Sequence, residues 1–219
     1  EIEFTPEQKK LYTQMKKLAL AKLESGELAT TASVLTQIMR LQQICCGFLQ
    51  PDEGEIQTIA SNRLKELLEL TDEVQGKAII WATYTHDILR IEGALQERFG
   101  PDSVATYFGG TPQDERQAIV TRFQDKNDPL RFFVGQPRTG GYGITLTGAS
   151  TVIYFSNSYD LEIRLQSEDR AHRIGQTNKV TYIDMVSPDT IDEKILKALR
   201  SKIDIAGQVL GEDAKDWLT

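Results

Sequence analysis

The sequence predicts an α/β fold, a parallel sheet with helices on both faces, entered through an N-terminal helical extension. Two observations carry this. From residue 61 onward, short strands that are apolar throughout alternate with helical segments, the texture of strands buried on both faces and joined by helical crossovers. Before residue 60 the chain shows only helical spacing and turn residues. The expected boundaries are therefore 1–60 for the helical extension and 61–219 for the sheet-bearing lobe with its C-terminal helices.

The first helix is announced by Thr5 as a cap, Pro6 at the first helical position and Gln8 three residues after the cap; Leu11, Met15 and Leu18 follow at helical spacing, and Gly26 ends it. Val34, Leu35, Ile38, Leu41, Gln42 and Cys45 predict a second helix, stopping at Gly47 before the turn-rich "QPDEGE". Strands are expected at 77–83, 103–108, 130–135, 151–156 and 180–186. Helical patterns lie between them at 61–74, 85–99, 112–124 and 160–173, with a last helix from 189 to 206.

Composition sets outer limits. The 219 residues are 40% hydrophobic and 26% charged, which fits one large globular domain or a core domain with an appendage. A net charge of -7 argues against broad, charge-driven coating of nucleic acid. It leaves room for a local basic strip, because charges are screened over only about 8 Å at physiological salt. No run approaches the roughly 18 apolar residues of a membrane span, so no membrane partner is expected. Cys45 and Cys46 lack the spacing of a zinc site and read as buried, reduced thiols, with no metal site expected. "EIEFTPEQ" reads like the inside of a longer polypeptide.

In such folds functional groups gather where strands end at their carboxyl side. "WATYTHD" offers the hydroxyls of Thr83, Tyr84 and Thr85 where the chain turns into a helix, a place suited to a phosphate, although a plain helix cap explains them too. In "YFGGTPQDERQ", Gly109 and Gly110 let backbone come close to a ligand, and Thr111 is expected to cap the next helix with Pro112 at its first position; an ordinary turn explains the same residues. "GQPRTGGYGITLTGAS" predicts a flexible, positively charged loop from Arg138, Gly140, Gly141 and Gly143. It is no nucleotide P-loop, because G-x-x-x-x-G-K-[ST] occurs nowhere in the chain.

"QSEDRAHRIGQ" is the most specific stretch. Gln166, Arg170 and Arg173 are spaced four and three apart, so on a helix they fall within roughly 60° of one another. Glu162, Glu168 and Asp169 could pair with these arginines as a solvated surface network. Arginine also suits bidentate phosphate contact and charge on a transferring phosphoryl group.

Taken in order, these segments resemble the second RecA-like lobe of superfamily-two helicases, specifically the Swi/Snf-type DNA translocases. "QSEDRAHRIGQ" is similar to that family's motif VI, "QPRTGGYGITLTGAS" to motif V, "KAIIWATYTHDI" to motif IV and "YFGGTPQDER" to the glycine-containing motif after it. "FTPEQKKLY" and "LTQIMRLQQICC" resemble the helical stretch between the family's two lobes, so the likeness covers nearly the whole chain.

The resemblance implies a RecA-like lobe in which Arg170 and Arg173 reach the γ-phosphate of ATP, Arg173 as arginine finger and Gln166 orienting the pair. It implies that Gly141 and Gly143 line an interlobe cleft, and that Thr83, Tyr84, Gly110, Thr111, Arg138 and Thr139 follow the DNA backbone. ATP with Mg²⁺ would be held mainly by a first RecA-like lobe, because no Walker A lysine and no Asp-Glu-x-His box occur in this chain. The implied partners are that first lobe and DNA.

Departures stand at Gln136, Pro137 and Thr139, where the family usually begins motif V with Ser-Thr-Arg-Ala and only Arg138 agrees, at Thr145, usually Asn, and at Cys46 and Gly47, often His and Pro. A short connection at 48–60 points to a prokaryotic or viral source and a cytoplasmic setting, nuclear if eukaryotic. A docking module that keeps the fold without catalysis stays open, and would engage these arginines with neighbouring acids. A small-molecule nucleotide enzyme is disfavoured by the missing phosphate loop.

Overall fold

The computed structural model describes the chain except for residues 29, 141–142, 172–178, 203–204, 206–211 and 219. In chain order the elements are α1 (Pro6–Glu24), α2 (Thr31–Cys46), a hairpin of β1 (Phe48–Leu49) and β2 (Gln57–Thr58), α3 (Arg63–Glu73), β3 (Lys77–Trp81) and α4 (Thr85–Phe99). Then come β4 (Val104–Tyr107), α5 (Gln113–Gln124), β5 (Phe132–Gly135), α6 (Pro137–Gly140), β6 (Ala149–Tyr154), α7 (Leu161–Ala171), β7 (Thr181–Asp184), α8 (Ile191–Arg200) and α9 (Glu212–Leu218). They fall into two compact units, one of residues 1–63, 159–161 and 186–219, the other of 64–158 and 162–185.

The helical unit begins as its sequence dictates. Thr5 accepts a hydrogen bond from the Gln8 amide nitrogen, and the Gln8 side chain accepts from Thr5, a complete capping box. Gln8 then does more than cap. Its buried side-chain nitrogen donates to the carbonyls of Ile44, at 2.9 Å, and Cys45, at 3.3 Å, in the last turn of α2. Gly47 ends α2 in the left-handed region at φ 91°.

Ile191, Ile195, Ala198 and Leu199 make one apolar stripe on α8, buried in the same cluster as Tyr12, Val34, Ile38 and Leu41. That stripe explains why residues 186–219 group with the N-terminal helices and not with the sheet. A polar knot fixes the arrangement: buried Arg63 pairs with Asp192 and donates to Ser187, and the Ile191 amide donates to the Tyr12 hydroxyl at 2.8 Å.

The second unit is a five-stranded parallel sheet in the order β4-β5-β3-β6-β7, with helices around it. Every residue of β5 and all but the first of β3 are buried, and because side chains alternate, both sheet faces are covered. Phe133 meets Trp81, Tyr107 and Phe123 at ring separations of 5.9, 5.4 and 5.5 Å. On the opposite face Phe132 meets Phe99 of α4 at 5.0 Å. Among the described residues no helix is long and apolar enough to cross a membrane.

Candidate functional site

Trp81, Tyr107, Gly135 and Tyr154 stand in register at the carboxyl ends of β3, β4, β5 and β6. The segments singled out in the sequence therefore leave the sheet along one edge, within the second unit.

Tyr84 takes the N-cap position of α4, yet no side-chain hydrogen bond caps the helix there, so the plain capping role does not apply. Thr83 is tied to buried Ser156 instead: its amide donates to the Ser156 hydroxyl at 2.9 Å and its hydroxyl to the Ser156 carbonyl at 3.3 Å. Thr111 does not cap α5, whose N-cap position is Pro112. It is 7% exposed and closes the preceding turn, accepting from the Phe108 amide at 3.0 Å and donating to the Thr106 carbonyl at 3.1 Å. A Cβ at Gly110 would lie 2.6 Å from the Phe108 ring, which would have to shift to admit it.

The stretch expected as a loop after β5 forms the one-turn helix α6, with Pro137 at its first position, where its missing N–H costs nothing. Arg138 on this turn is exposed. Gln136, which the sequence showed only as a departure from motif V, clips three segments together. Its amide nitrogen donates to the Tyr107 carbonyl at 3.0 Å, its side chain donates to the Thr83 carbonyl at 2.9 Å, and the Thr139 hydroxyl donates to it at 3.2 Å. Thr83, Thr111 and Thr139 thus all donate both their hydroxyl and their main-chain amide hydrogens within the protein. Gly143 adopts φ 79° with no heavy atom within 4 Å of a built Cβ, while Gly141 lies outside the described residues.

Helix α7 carries two distinct arginine environments. Arg164 donates to Glu168 at 2.6 Å, to Asn157 at 2.5 Å and to Asp184 at 2.5 Å, and its guanidinium lies 3.5 Å from the centroid of the Tyr154 ring. Burial opposes its charge, but the hydrogen bond and charge of Asp184 outweigh it and hold the group above its ordinary pKa. Ser167, fully buried, completes the pin by bonding the Tyr154 hydroxyl at 2.8 Å. The other face carries Gln166 and Arg170. Gln166 donates to Glu162 at 2.9 Å, and Arg170 is half-buried, its Nη1 3.5 Å from the Ile144 carbonyl. Of the acids weighed as partners for the arginine face, Glu168 accepts from Arg164 and Glu162 from Gln166. Arg173 lies outside the described residues.

Sequence reasoning missed Arg164, Gln136 and Ser156, because their partners lie 20, 53 and 73 positions away along the chain. Among the described residues no group of three or more His, Cys, Asp or Glu is placed to hold a metal ion.

A family model described as the helicase conserved C-terminal domain matches residues 60–175. The putative ATP-dependent helicase/translocase YwqA of Bacillus subtilis is 30% identical over 100% of this chain, which spans 24% of that relative's length. The SWI/SNF chromatin-remodeling complex subunit snf22 of Schizosaccharomyces pombe is 30% identical over 93% of the chain and 13% of the relative. Among solved structures, the Sulfolobus solfataricus SWI2/SNF2 ATPase core in complex with dsDNA superposes with a TM-score of 0.77 at 24% identity, over 99% of this chain and 48% of that one.

Proposed function

The chain belongs to the helicase conserved C-terminal domain family, in its Swi/Snf type, and from that membership we propose that it is the C-terminal lobe of an ATP-dependent translocase acting on double-stranded DNA. The observation that carries this reading is the division of labour on α7. Arg164 fastens one face to the sheet, so Gln166 and Arg170 are presented on the other face of a fixed helix.

The donor set fits the anionic end of a nucleotide and not the whole of it. It offers guanidiniums and an amide, while the lysine of a phosphate loop is missing from the sequence. ATP with Mg²⁺ supplies the phosphoryl bond whose hydrolysis drives movement, and it is held mainly by a first RecA-like lobe outside this chain. Arg170 and Arg173 would neutralise charge at the γ-phosphate, Arg173 as the arginine finger, with Gln166 orienting the pair. Gly141 and Gly143 would line the interlobe cleft. Exposed Arg138 and half-buried Tyr84 are the most direct groups for the DNA backbone; Thr83, Gly110, Thr111 and Thr139 would follow it, the threonine hydroxyls by turning their hydrogens from their internal acceptors to phosphate oxygens. Contacts of this kind are independent of sequence and weaken with salt. The protein would act wherever its DNA is, in prokaryotic cytoplasm or a nucleus.

The test is ATP turnover with and without double- and single-stranded DNA, in the protein that joins this lobe to its ATP-binding partner and in the chain alone. The joined protein should be stimulated by duplex DNA and the chain should stay at background. Turnover well above background from the chain alone, or indifference of the joined protein to DNA, overturns the reading.

A further inference from the structure

We propose that Gln124 is a positioning residue for Arg170, holding from α5 the segment 145–148 on which that arginine rests. Its side chain makes three hydrogen bonds to the segment. The nitrogen donates to the Thr145 carbonyl at 2.7 Å and to the Thr147 hydroxyl at 3.3 Å, and the oxygen accepts from the Gly148 amide at 2.7 Å. One amide thus uses both of its polar ends on successive residues of the same strap.

The other side of the strap belongs to Arg170. The Leu146 amide donates to the Arg170 carbonyl at 2.9 Å, and the guanidinium reaches the Ile144 carbonyl at 3.5 Å. Residues 144–148 are therefore held between α5 and the last turn of α7, and Gln124 supplies the α5 side. Gly148 gives an independent sign of the close fit, since a Cβ there would lie 2.8 Å from the Phe123 carbonyl and 3.1 Å from the Gln124 oxygen. A groove of about 380 Å³ lined by Thr121, Gln124, Gly143, Ile144 and Thr145 leaves the strap room to shift once those hydrogen bonds are gone.

Amide protection factors across 144–149, measured by NMR on the 219-residue chain with Gln124→Glu and Gln124→Met, test the geometry. The Glu side chain keeps an acceptor for the Gly148 amide and loses both donors, while Met keeps neither. Leu146 should lose about tenfold in protection in both variants, and Gly148 only in Gln124→Met. Unchanged Leu146 protection in both overturns the proposal. So does an equal loss throughout β3, which would make Gln124 a general support of the fold.

The consequence for turnover rests on the proposed function. In the two-lobe protein Gln124→Met should lower kcat about tenfold at nearly constant KM for ATP, and add nothing in an Arg170→Ala background. Full additivity overturns action through Arg170. Normal turnover in Arg170→Ala alone would sink the functional reading instead, and the protection factors would still decide for or against Gln124.

Discussion

Arg63 and Asp192 show what one buried pair does in the helical unit. The arginine is 0% exposed and the aspartate 5%, so removing either leaves a charge in the core without its partner. Breaking such a pair costs about 3–5 kcal/mol, whereas replacing both members by apolar residues of similar volume is often neutral. Arg63→Met and Asp192→Leu should each lower stability by about that much in denaturant unfolding, and the double variant by far less than their sum. Additive losses would show that the two charges do not depend on each other. Nothing local in the sequence marks this pair, since its members are 129 positions apart. The same holds on α7. Periodicity displayed an arginine face, but which arginine anchors the helix depends on Asp184 and Asn157, whose approach to Arg164 only the folded chain reveals.

At the level of elements, local chemistry was easier to read. The Thr5 capping box, the glycine stop after α2 and the apolar strands at β3, β5 and β6 stand where turn and propensity rules put them, because each depends on residues within a few positions. Thr111 and the 137–140 turn read differently in the structure because a cap and a turn closure use the same residue types, and proline suits a first helical turn as well as a loop. Gly47 separates two kinds of glycine requirement. Its φ of 91° and a built Cβ 2.6 Å from Ser61 Cβ combine backbone strain with a clash, while Gly26, at φ 81°, has nothing within 4 Å. Gly26→Ala should cost about 1–2 kcal/mol in thermal or denaturant unfolding, and Gly47→Ala clearly more. Equal costs would show that Ser61 yields freely.

In the molecule as a whole, the segments that follow β3, β4 and β5 leave one edge of one parallel sheet, and sequence order made that much legible, because segments following parallel strands must emerge on the same side, whereas Arg170 lies beside Leu146, ahead of the first residue of β6. The grouping of residues 186–219 with the N-terminal helices was not legible, since an apolar stripe on a helix does not say which surface it will cover. A net charge of -7 spoke against broad coating of nucleic acid and left open a candidate site built around cationic side chains, whose effect is local. The central claim is that this lobe completes an ATP site with arginines and cannot turn over ATP without its partner. Steady-state ATPase of the two-lobe protein carrying Arg170→Ala or Arg173→Ala, with nucleotide affinity measured alongside, tests it most directly. Turnover should fall by about 10³ or more in Arg173→Ala and steeply in Arg170→Ala, with nucleotide still bound. Near-normal turnover in both variants would contradict the account.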